Sequence, residues 1–555
     1  MKKLCYILPS YSENSHEHFY TVLRLLQEIG KYVEIALVIE KASTIPRLDN
    51  VKTVIVQRYG FSKNKILRLM EMAFITARLQ MKNFKKFYIR TSDTATVPVC
   101  LVTKLLGGEV YFWRSGQGKE SIPGWSVNWK VIRNKLQIEL MFKTALRLTN
   151  WFVTGPESMG TYFIKEWGVD SRKVLILYND VDTSRFKRPH DTQDIAALKH
   201  HTGIPDNAKI VLMVHNMSPV RRTTMYLPKA IVDTIAQRQD VYFVLVGGGS
   251  EKPFVQEKVA QCGVNSYVSI VGSVPNREID KYYAIADIFI MPSYVEGFPR
   301  VLIEAMASGL AFVATDSGGV MDIVTEAQKQ FVVPRDDPEA FSNAIKSLLA
   351  DDHLRQRLGM ENQIHVQKYA VENVAMMYID KIFPINICSI DKMPVRIISE
   401  LVDIDAGCIA EKSTAYSHEH WSHANFTKEL PQKKLYSQVA TDDGKVVGFW
   451  IVSKTDQYTL HTHRVAVRKA YRRRGLAKKM FDAIVSKATK DGFKQMTLTL
   501  AIVNTEAMAF YKQMGFTPLQ GGELDDFIIK KGHNATNRQN YIEQPSEHMV
   551  KTFVC

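Results

Sequence analysis

Short apolar runs alternate with helical stretches over about the first 180 residues, which is the rhythm of parallel α/β units. The runs are KLCYILPS, VEIALVIE, KTVIVQR, KFYIRTS, GEVYFWRS and WFVTG. A second series of the same kind consists of KIVLMVH, VYFVLVGGG, VSIVGSV, DIFIMPS and LAFVATD. The pattern therefore predicts two tandem Rossmann-like lobes of the α/β class, with ligands bound in the cleft between them.

The same pattern predicts where the domains begin and end. A first lobe is expected over residues 1–180 and a second over residues 181–385, and the two prolines of PINICSIDKMP indicate a linker at 386–392. Beyond it, KVVGFWIVSK, YTLHTHRVAV and QMTLTLAIV look like antiparallel strands around the amphipathic helix AKKMFDAIVSKATKDGF. Residues 393–531 are therefore predicted to form a separate α+β domain. The polar tail, residues 532–555, is expected to be flexible.

The composition is that of a globular protein, with 46% hydrophobic and 23% charged residues, and 555 residues are too many for one core. No apolar run reaches the roughly 20 residues that a membrane-spanning helix needs. The apolar start MKKLCYIL ends at Pro9, so we predict a first strand rather than a signal peptide. The six cysteines are scattered without a CxxC pair, which favours a cytoplasmic, reducing environment over a disulfide framework.

Lysine and arginine exceed aspartate and glutamate by 15, so anionic partners are expected. Eight cations between Lys63 and Arg90 face little opposition beyond Glu71, and GWSVNWKVIRNKLQIELMFKTALRLTNW mixes cations with Trp, Phe and Leu. That composition is typical of an interfacial amphipathic helix, although a helix with its apolar side in the core has the same pattern. The chain is expected either free in the cytosol or peripherally bound to an anionic membrane surface. No nucleic-acid recognition motif accompanies the charge, so no nucleic-acid partner is expected.

The segment MPSYVEGFPRVLIEAMASGLAFVATDSGG predicts a helix N-terminus that can bind an anion. Pro299 is expected at the first helical position and Gly309 just past the end of the helix. Free amides would then lie around Gly297, Phe298, Pro299 and Arg300, where the helix end and the arginine suit a diphosphate. Glu296 precedes the helix and Glu304 lies a turn and a half inside it, a spacing that lets two carboxylates hydrogen-bond sugar hydroxyls on either side of a phosphate.

This segment resembles the GT-B glycosyltransferases, in particular the large retaining group 1 (GT4-like) family that carries two glutamates in this arrangement. The resemblance runs over most of residues 1–385, and YNDVDTSRF resembles the family's segment that opens the second lobe. It implies a nucleotide-diphosphate sugar as co-substrate, with Glu304 on the ribose and Glu296 on a hydroxyl of the transferred sugar. It also implies transfer with retention, the donor phosphate helping to deprotonate the acceptor.

The sequence departs from the family at several positions. In VLMVHNMSPVRRTTMYLP, His215 and Asn216 replace the usual Gly-Arg pair, and Arg221 and Arg222 replace Lys-Gly. Arg221 can still neutralise a diphosphate. SYSENSHEHFY lacks the family's glycine loop, and RSG stands at 114–116 where His-Gly is usual. An altered donor, or a lobe pair that only binds glycan or nucleotide, therefore remains an alternative.

Asp180 and Asp182 spell D-x-D, but they fall on the turn that opens the second lobe. Enzymes with the GT-B fold need no D-x-D-bound metal, so no metal ion is expected. The charge of the leaving diphosphate would be met by arginines and the helix N-terminus instead.

A second candidate site lies in HRVAVRKAYRRRGLAKKMFDAIV, between a strand and an amphipathic helix. Amides at a glycine turn that enters a helix form an anion-binding cradle, and arginines add charge. This segment and QMTLTLAIVNTEAMAFYKQMGF together resemble the acetyl-CoA site of the GNAT N-acetyltransferases. The resemblance implies acetyl-CoA as co-substrate and Tyr511 as the acid that protonates the leaving thiolate. The implied acetyl-CoA contacts are Val465, Val467, Arg472, Arg473, Arg474, Gly475, Leu476, Ala477 and Asn504.

The base that removes the amine proton is not settled by the residues, because MTLTLAI has no carboxylate. His461 and His463 alternate onto one face of the preceding strand and can act at neutral pH. YSHEHWSHANF, with His418, Glu419, His420 and His423, suggests zinc. It falls where this fold recognises its acceptor, so acceptor contacts are favoured over a metal.

The two resemblances together predict a bifunctional enzyme that transfers a sugar and acetylates an amine, most simply that of an amino sugar during surface-glycan assembly. The acceptor would be a glycan or a lipid-linked sugar. The alternative is an acetyltransferase with a degenerate GT-B lobe pair.

Overall fold

The computed structural model describes residues 2–12, 19–116, 129–187, 191–218, 223–393, 397–410, 420–501, 505–518 and 546–553. The chain divides into two compact units, Met1–Ile382 and Phe383–Cys555. The predicted fold class is confirmed: the first unit holds two parallel α/β lobes and the second is a separate α+β unit.

The first lobe is built on a parallel sheet of seven strands in the order β3-β2-β1-β4-β5-β6-β7. Its strands are β1 (Lys3–Tyr11), β2 (Glu34–Ala42), β3 (Thr53–Val56), β4 (Lys86–Arg90), β5 (Glu109–Trp113), β6 (Trp151–Thr154) and β7 (Val174–Ile176). Its helices are α1 (Phe19–Gly30), α2 (Lys65–Met81), α3 (Asp93–Leu106), α4 (Trp129–Leu148) and α5 (Glu157–Trp167). The six apolar runs of the sequence become β1 to β6, because buried parallel strands need continuous apolar residues.

The second lobe has a six-stranded parallel sheet in the order β10-β9-β8-β11-β12-β13. Its strands are β8 (Lys209–Val214), β9 (Val241–Val246), β10 (Val268–Gly272), β11 (Ile288–Met291), β12 (Ala311–Thr315) and β13 (Val332–Val333). The helices from here to the end of the unit are α6 (Thr183–Lys187), α7 (Thr192–Thr202), α8 (Thr223–Ile235), α9 (Lys252–Gln261), α10 (Ile279–Ile285), α11 (Arg300–Ala307), α12 (Val320–Ile323), α13 (Pro338–Ala350), α14 (Asp352–His365) and α15 (Val371–Ile382). Its core consists of two buried clusters of apolar side chains, because alternate residues of each strand face opposite sides of the sheet.

The last helix of the first unit, α15, follows the second lobe in sequence but packs against the first lobe. α15 packs against α1 of the first lobe, and the Tyr88 hydroxyl donates to the Tyr378 hydroxyl at 3.2 Å. The two buried rings lie 5.4 Å apart. The sequence pattern assigned residues 181–385 to the second lobe as a whole. The structure corrects that assignment for α15, which packs against α1 and contacts Tyr88 of β4, both in the first lobe.

The second unit contains a mixed sheet in the order β14-β15-β16-β17-β18-β20-β19. Its strands are β14 (Asn386–Ser389), β15 (Gln438–Asp442), β16 (Lys445–Lys454), β17 (Thr459–Val467), β18 (Gln495–Ala501), β19 (Thr517–Pro518) and β20 (Ser546–Thr552). Its helices are α16 (Ile397–Ala410), α17 (His423–Thr427), α18 (Lys433–Tyr436), α19 (Leu476–Lys490) and α20 (Thr505–Gln513). The strands β14 to β17 pair antiparallel, whereas β17 and β18 are parallel, unlike the antiparallel arrangement that the sequence predicts.

Two boundaries of this unit differ from the predicted ones. Residues 386–392, predicted to be a linker, contain β14, which pairs with β15 at the edge of the sheet. Part of the predicted flexible tail, 532–555, is β20, which pairs with both β18 and β19. The two prolines of PINICSIDKMP predict a linker, and the polar composition of the tail predicts a flexible segment. Their backbones are nevertheless hydrogen-bonded into the sheet, so a fragment limited to 393–531 would lack two of its strands.

No described helix combines the length and the apolar character needed to cross a bilayer. In α4, whose sequence suggests either a core or an interfacial helix, Phe142 and Ala145 are buried in the first-lobe core and Leu140 is 67% exposed. The described C-terminal part of α4 therefore has a core-facing side.

Candidate active sites

The first candidate site lies at the carboxyl ends of the second-lobe strands, where parallel sheets bind ligands. His215 follows β8, the segment from Ser293 to Pro299 follows β11, and Gly318 lies in the loop after β12. Gly318 has φ +56°, and a Cβ there would lie 1.8 Å from the Glu296 carbonyl oxygen. The loop that carries Glu296 and the loop that carries this glycine are therefore in close backbone contact, and the backbone at 318 accepts only glycine.

Glu304 is buried on α11, with 7% of its surface exposed. Its carboxylate accepts a hydrogen bond from the Tyr283 hydroxyl at 3.0 Å. Burial raises the pKa of Glu304, against the lowering effects of the Tyr283 hydrogen bond and the nearby Arg300 and Arg185. A carboxylate held in this way is preorganised to accept hydrogen bonds from a ligand.

A cavity of about 840 Å³ opens beside Glu304 between the two lobes of the first unit. The first lobe contributes Arg24 and Arg47 to its wall, and the second lobe contributes Arg185, Arg277 and Arg300 among others. The lining residues include five arginines and three carboxylates, Asp180, Asp182 and Glu304, and Arg185 is also paired with Asp280 at 2.6 Å. A cavity of this size lined by several arginines fits a phosphorylated ligand.

Glu296 does not line this cavity and belongs to a separate buried cluster. Its Oε1 accepts a hydrogen bond from the Ser293 hydroxyl at 2.8 Å and lies 2.9 Å from Nε2 of His215. The Asn216 backbone amide donates to Nδ1 of His215 at 3.0 Å, which leaves Nε2 to carry the proton toward Glu296. His215, which departs from the family pattern, thus holds in place Glu296, which matches the family pattern.

Arg300 is more tightly engaged than the sequence predicts. Pro299 caps α11 and the helix begins at Arg300, one residue later than predicted. Nη1 of Arg300 donates to the Asp180 carbonyl at 2.9 Å and Nη2 to the Asp180 carboxylate at 3.0 Å. A diphosphate would have to replace these contacts, so Arg300 is a weaker phosphate ligand than a free arginine.

The other residues predicted to bind the donor differ in their placement. Phe298 is buried against Tyr178 and Tyr369, so its side chain is part of the core and only its backbone can face a ligand. Gly297 abuts the first lobe, where its Cβ would lie 2.5 Å from the Gly116 amide nitrogen. Asn216 is exposed. Arg221 and Arg222 lie outside the described residues.

The D-x-D carboxylates are both paired with arginines. Asp180 is paired with Arg300, as described above. Asp182 forms an ion pair with Arg24 of the first lobe, with 2.5 Å between Oδ2 and Nη1. Among the residues that the structure describes, no group of three or more His, Cys, Asp or Glu side chains is placed to hold a metal ion. Of the zinc candidates, His420 and His423 are exposed, and His418 and Glu419 lie outside the described ranges.

The second candidate site is an opening in the sheet of the second unit. β17 and β18 pair in parallel only as far as Thr462 and Leu498, although β17 continues to Val467 and β18 to Ala501. The pairing of β17 with β16 shifts register at His463, which is bulged out of the ladder. Beyond the bulge, the strand edge that carries Val465 and Val467 is not paired with β18.

The predicted pyrophosphate cradle follows β17 directly. Gly475 caps α19 with φ +67°, and Arg473 also has a positive φ of 59°. Arg472 donates through Nε to the Val467 carbonyl at 2.9 Å, and Arg474 lies 5.1 Å from the centre of the Tyr471 ring. Leu476 is buried in the core and Ala477 is half-buried. The turn therefore presents an exposed Gly475 and the first amides of a 15-residue helix.

Tyr511 lies in the apolar core next to β16, and the two histidines lie on β17, where its pairing with β18 ends. The Tyr511 ring is 6.2 Å from that of Trp450, whose indole nitrogen donates to Thr462, the last paired residue of β17, at 3.0 Å. Burial raises the pKa of Tyr511, which keeps the phenol protonated. Nothing among the described residues accepts a hydrogen bond from its hydroxyl.

The rings of His461 and His463 lie 5.0 Å apart, which places them together as predicted. His461 is 3% exposed and its Nδ1 lies 2.9 Å from the Thr497 hydroxyl. His463 is half-buried and its Nε2 lies 2.7 Å from the Ser453 hydroxyl. Asn504, predicted to contact the pantetheine arm, lies outside the described ranges.

Sequence reasoning missed the partners that hold these groups. Tyr283 lies 21 residues from Glu304, and His215 lies 81 residues from Glu296. The only local signal was the unusual histidine at 215, which marked a departure from the family without indicating its partner.

Comparisons with known proteins match both halves of the chain. The family model of the glycosyl transferases group 1 matches residues 194–364, and that of the GNAT acetyltransferase family matches residues 405–516. The D-inositol 3-phosphate glycosyltransferase of Streptomyces bingchenggensis is 27% identical over 232 residues, 40% of this chain and 50% of that protein. That of Corynebacterium urealyticum is 28% identical over 225 residues, 39% and 52% of the two chains. The chain thus spans about half the length of the curated relatives it matches.

Solved structures share the fold of the first unit. HepE of Anabaena, in complex with UDP and glucose, is 18% identical with a TM-score of 0.53, over 69% of this chain and 99% of that one. The sucrose-phosphate synthase of Thermosynechococcus elongatus is 17% identical with a TM-score of 0.56, over 68% and 97%. At this identity the likeness concerns the fold alone. The chain therefore carries a glycosyltransferase group 1 domain within a GT-B fold, followed by a GNAT acetyltransferase domain.

Proposed function

We propose that the chain is a bifunctional transferase. Its first unit transfers a sugar from a nucleotide-diphosphate donor to a glycan or lipid-linked acceptor, and its second unit transfers an acetyl group from acetyl-CoA to an amine. The observation that carries the first activity is the buried Glu304 beside a cavity walled by five arginines. The observation that carries the second is the opening between β17 and β18, which begins at the His463 bulge and is followed in the chain by the Gly475 turn.

In the first unit, Glu304 accepts hydrogen bonds from the ribose of the donor, and Glu296, held by His215 and Ser293, accepts one from a hydroxyl of the sugar. The arginines of the cavity and the N-terminus of α11 stabilise the negative charge that develops on the leaving diphosphate. Transfer proceeds with retention, and a donor phosphate oxygen takes the proton of the acceptor hydroxyl. The arginines of the wall support a mechanism that uses no divalent ion.

In the second unit, His463 removes a proton from the amine, which attacks the thioester carbonyl. The tetrahedral intermediate collapses with cleavage of the C–S bond, and Tyr511 gives its proton to the departing thiolate. His463 is favoured over His461 because it is less buried and lies at the bulge where the strands separate. The exposed amides at the start of α19 bind the pyrophosphate.

One pathway that uses both groups is the assembly of a surface glycan that contains an acetylated amino sugar, and we propose this as the setting. The five described cysteines are free, which supports a cytosolic location. The basic surface of the first lobe supports peripheral attachment at the inner face of a membrane. An acetyltransferase whose GT-B lobes only bind glycan or nucleotide is the second candidate, favoured by the Asp180 contacts that occupy Arg300.

A thermal-shift screen of the purified chain against a panel of nucleotide sugars tests the proposal. A donor that binds the native state raises the melting temperature, and the shift grows with the logarithm of the ratio of free ligand to Kd. Glu304→Ala should remove the shift, whereas Glu326→Ala, which changes an exposed glutamate of the same lobe, should preserve it. A shift that survives Glu304→Ala, or that nucleosides produce as strongly as nucleotide sugars, would contradict the assigned site. An assay of product formation with the donor identified in this screen then distinguishes an active glycosyltransferase from a GT-B lobe pair that only binds ligands.

A further inference from the structure

Exposed large apolar side chains are concentrated on one part of the first lobe. Of the eighteen such side chains among the described residues up to Ile382, ten lie between Tyr59 and Leu106. This clustering distinguishes them from the single exposed apolar residues that are normal on protein surfaces. They are Tyr59, Phe61, Ile66, Leu67, Met70, Phe74, Met81, Leu101, Leu105 and Leu106.

The exposed positions follow one face of a helix. In α2, Ile66, Met70 and Phe74 recur every four residues, with exposed fractions of 68%, 64% and 68%. The opposite face, which includes Met72 and Leu79, is buried. α2 packs beside α3, whose C-terminal end exposes Leu101, Leu105 and Leu106. We call this surface, the exposed apolar residues of α2 and α3, the α2–α3 patch.

Cations surround the α2–α3 patch without carboxylate partners. Seven exposed lysines and arginines lie on or next to the two helices, and none of them forms an ion pair with another described residue. They are Arg58, Lys63, Lys65, Arg78, Lys82, Lys85 and Lys104. Glu71 is the one acidic residue between Arg58 and Lys85, and its carboxylate accepts the backbone amides of Arg58 and Tyr59 at 2.8 and 3.0 Å.

We propose that the α2–α3 patch binds the surface of an anionic lipid bilayer. Its apolar side chains enter the boundary between headgroups and acyl chains, and the surrounding lysines and arginines meet the phosphates. A second copy of the chain is the less favourable occupant, because a symmetric contact through this surface would bring two sets of unpaired cations together. The inference rests on the proposed function for its purpose, the delivery of a lipid-linked acceptor to the first lobe, but the surface itself is independent of catalysis.

Sedimentation of the full chain with vesicles tests the inference. We expect binding to an equal mixture of phosphatidylcholine and phosphatidylglycerol and weak binding to phosphatidylcholine alone, with the binding falling as salt rises. Phe74→Glu should lower the partition coefficient at least about tenfold, since it removes apolar burial and adds a repelled charge. Phe254→Glu, at a 58% exposed phenylalanine of α9, is the matched control and should bind as the wild type does.

A charge variant separates the contribution of the cations. Lys82→Glu should weaken binding to the anionic vesicles and reduce its salt dependence, whereas Lys258→Glu on α9 should do neither. All four side chains are exposed, so unchanged melting temperatures are expected and confirm that the fold is intact.

Three outcomes would overturn the inference. They are no binding to anionic vesicles at low salt, an equal loss in Phe74→Glu and Phe254→Glu, or a dimer that Phe74→Glu disperses in the absence of vesicle binding. Vesicle binding is measured without substrate, so its failure is distinct from a failure of the proposed transfer reactions. If the wild-type chain binds the vesicles but no nucleotide-sugar donor, the proposed function is overturned and the inference about the α2–α3 patch is not.

Discussion

Replacing Tyr511 with phenylalanine tests the chemistry of the second unit most sharply, because it removes one hydroxyl from a buried ring. That hydroxyl makes no hydrogen bond with a described residue, and the ring keeps its contacts with Trp450, Phe510 and Phe516. No buried partner is left unsatisfied, so stability should change by less than about 0.5 kcal/mol. Loss of the proton donor should slow acetyl transfer about 10² to 10⁴ fold, which corresponds to about 2.7 to 5.4 kcal/mol of transition-state stabilisation.

Three measurements on Tyr511→Phe are needed: acetyl-CoA affinity by calorimetry, thiol release with amine acceptors, and thermal unfolding. The affinity should be nearly unchanged, because the pyrophosphate cradle is intact. Tyr436→Phe is the matched control, since it removes a hydroxyl that donates to Asp491 away from the opening. It should lower the melting temperature and leave acetyl transfer unchanged.

The pH dependence adds a further constraint. Burial raises the pKa of Tyr511 above its ordinary value, so the acid stays protonated through the neutral and mildly alkaline range. The wild-type rate should therefore rise with pH as the base loses its proton and should not fall again near neutrality. Acetyl transfer in Tyr511→Phe within a factor of about three of the wild-type rate, with normal affinity, would refute the assignment of Tyr511 as the acid.

Three other substitutions have expected outcomes. Burial raises the pKa of Glu304 above its usual 4.5, so ionisation of this carboxyl group destabilises the folded state above that pH. Glu304→Gln should therefore raise the melting temperature at pH 7 but not at pH 4. The same substitution should abolish sugar transfer. Gly475→Asp introduces a residue type that tolerates positive φ, but it places a negative charge in the pyrophosphate cradle. The Kd for acetyl-CoA should therefore rise at least about tenfold. The control Gly492→Asp, at the other end of α19, should leave this Kd unchanged. Arg464→Ala leaves the buried Asp405 carboxylate without its ion-pair partner and should cost about 3 kcal/mol in urea unfolding; a loss near zero would show that other groups compensate the charge.

The sequence predicted the fold class and most strands because buried strands need apolar residues and leave a periodic record. β20 left almost no such record: Met549 is buried and Val550 is half-buried, and the strand is held by backbone hydrogen bonds to β18 and β19. β14, at the opposite end of the sheet, has four residues, none of them fully buried, and it pairs with β15. Strands that are stabilised by backbone pairing rather than by side-chain burial cannot be identified from hydrophobic pattern.

The candidate sites divide in a similar way. Local motifs identified the residues that follow strands and begin helices, such as Glu304 on α11 and Gly475 at the cap of α19. The contacts that decide their chemistry join residues distant in sequence. Asp180 lies 120 residues from Arg300, and their ion pair changes a predicted phosphate ligand into a side chain that is already engaged. Such pairings depend on how the two lobes fold together, and a motif cannot specify them.

Parallel assays of nucleotide-diphosphate release and CoA release test most directly whether one chain carries two independent transferase sites. The wild-type chain, Glu304→Gln and Tyr511→Phe would be compared with a donor nucleotide sugar, acetyl-CoA and a total glycan and lipid extract as acceptor. We expect Glu304→Gln to stop nucleotide-diphosphate release and to preserve CoA release, and Tyr511→Phe to do the reverse. Loss of both activities in either variant, or CoA release without nucleotide-diphosphate release from the wild-type chain for any donor, would contradict it.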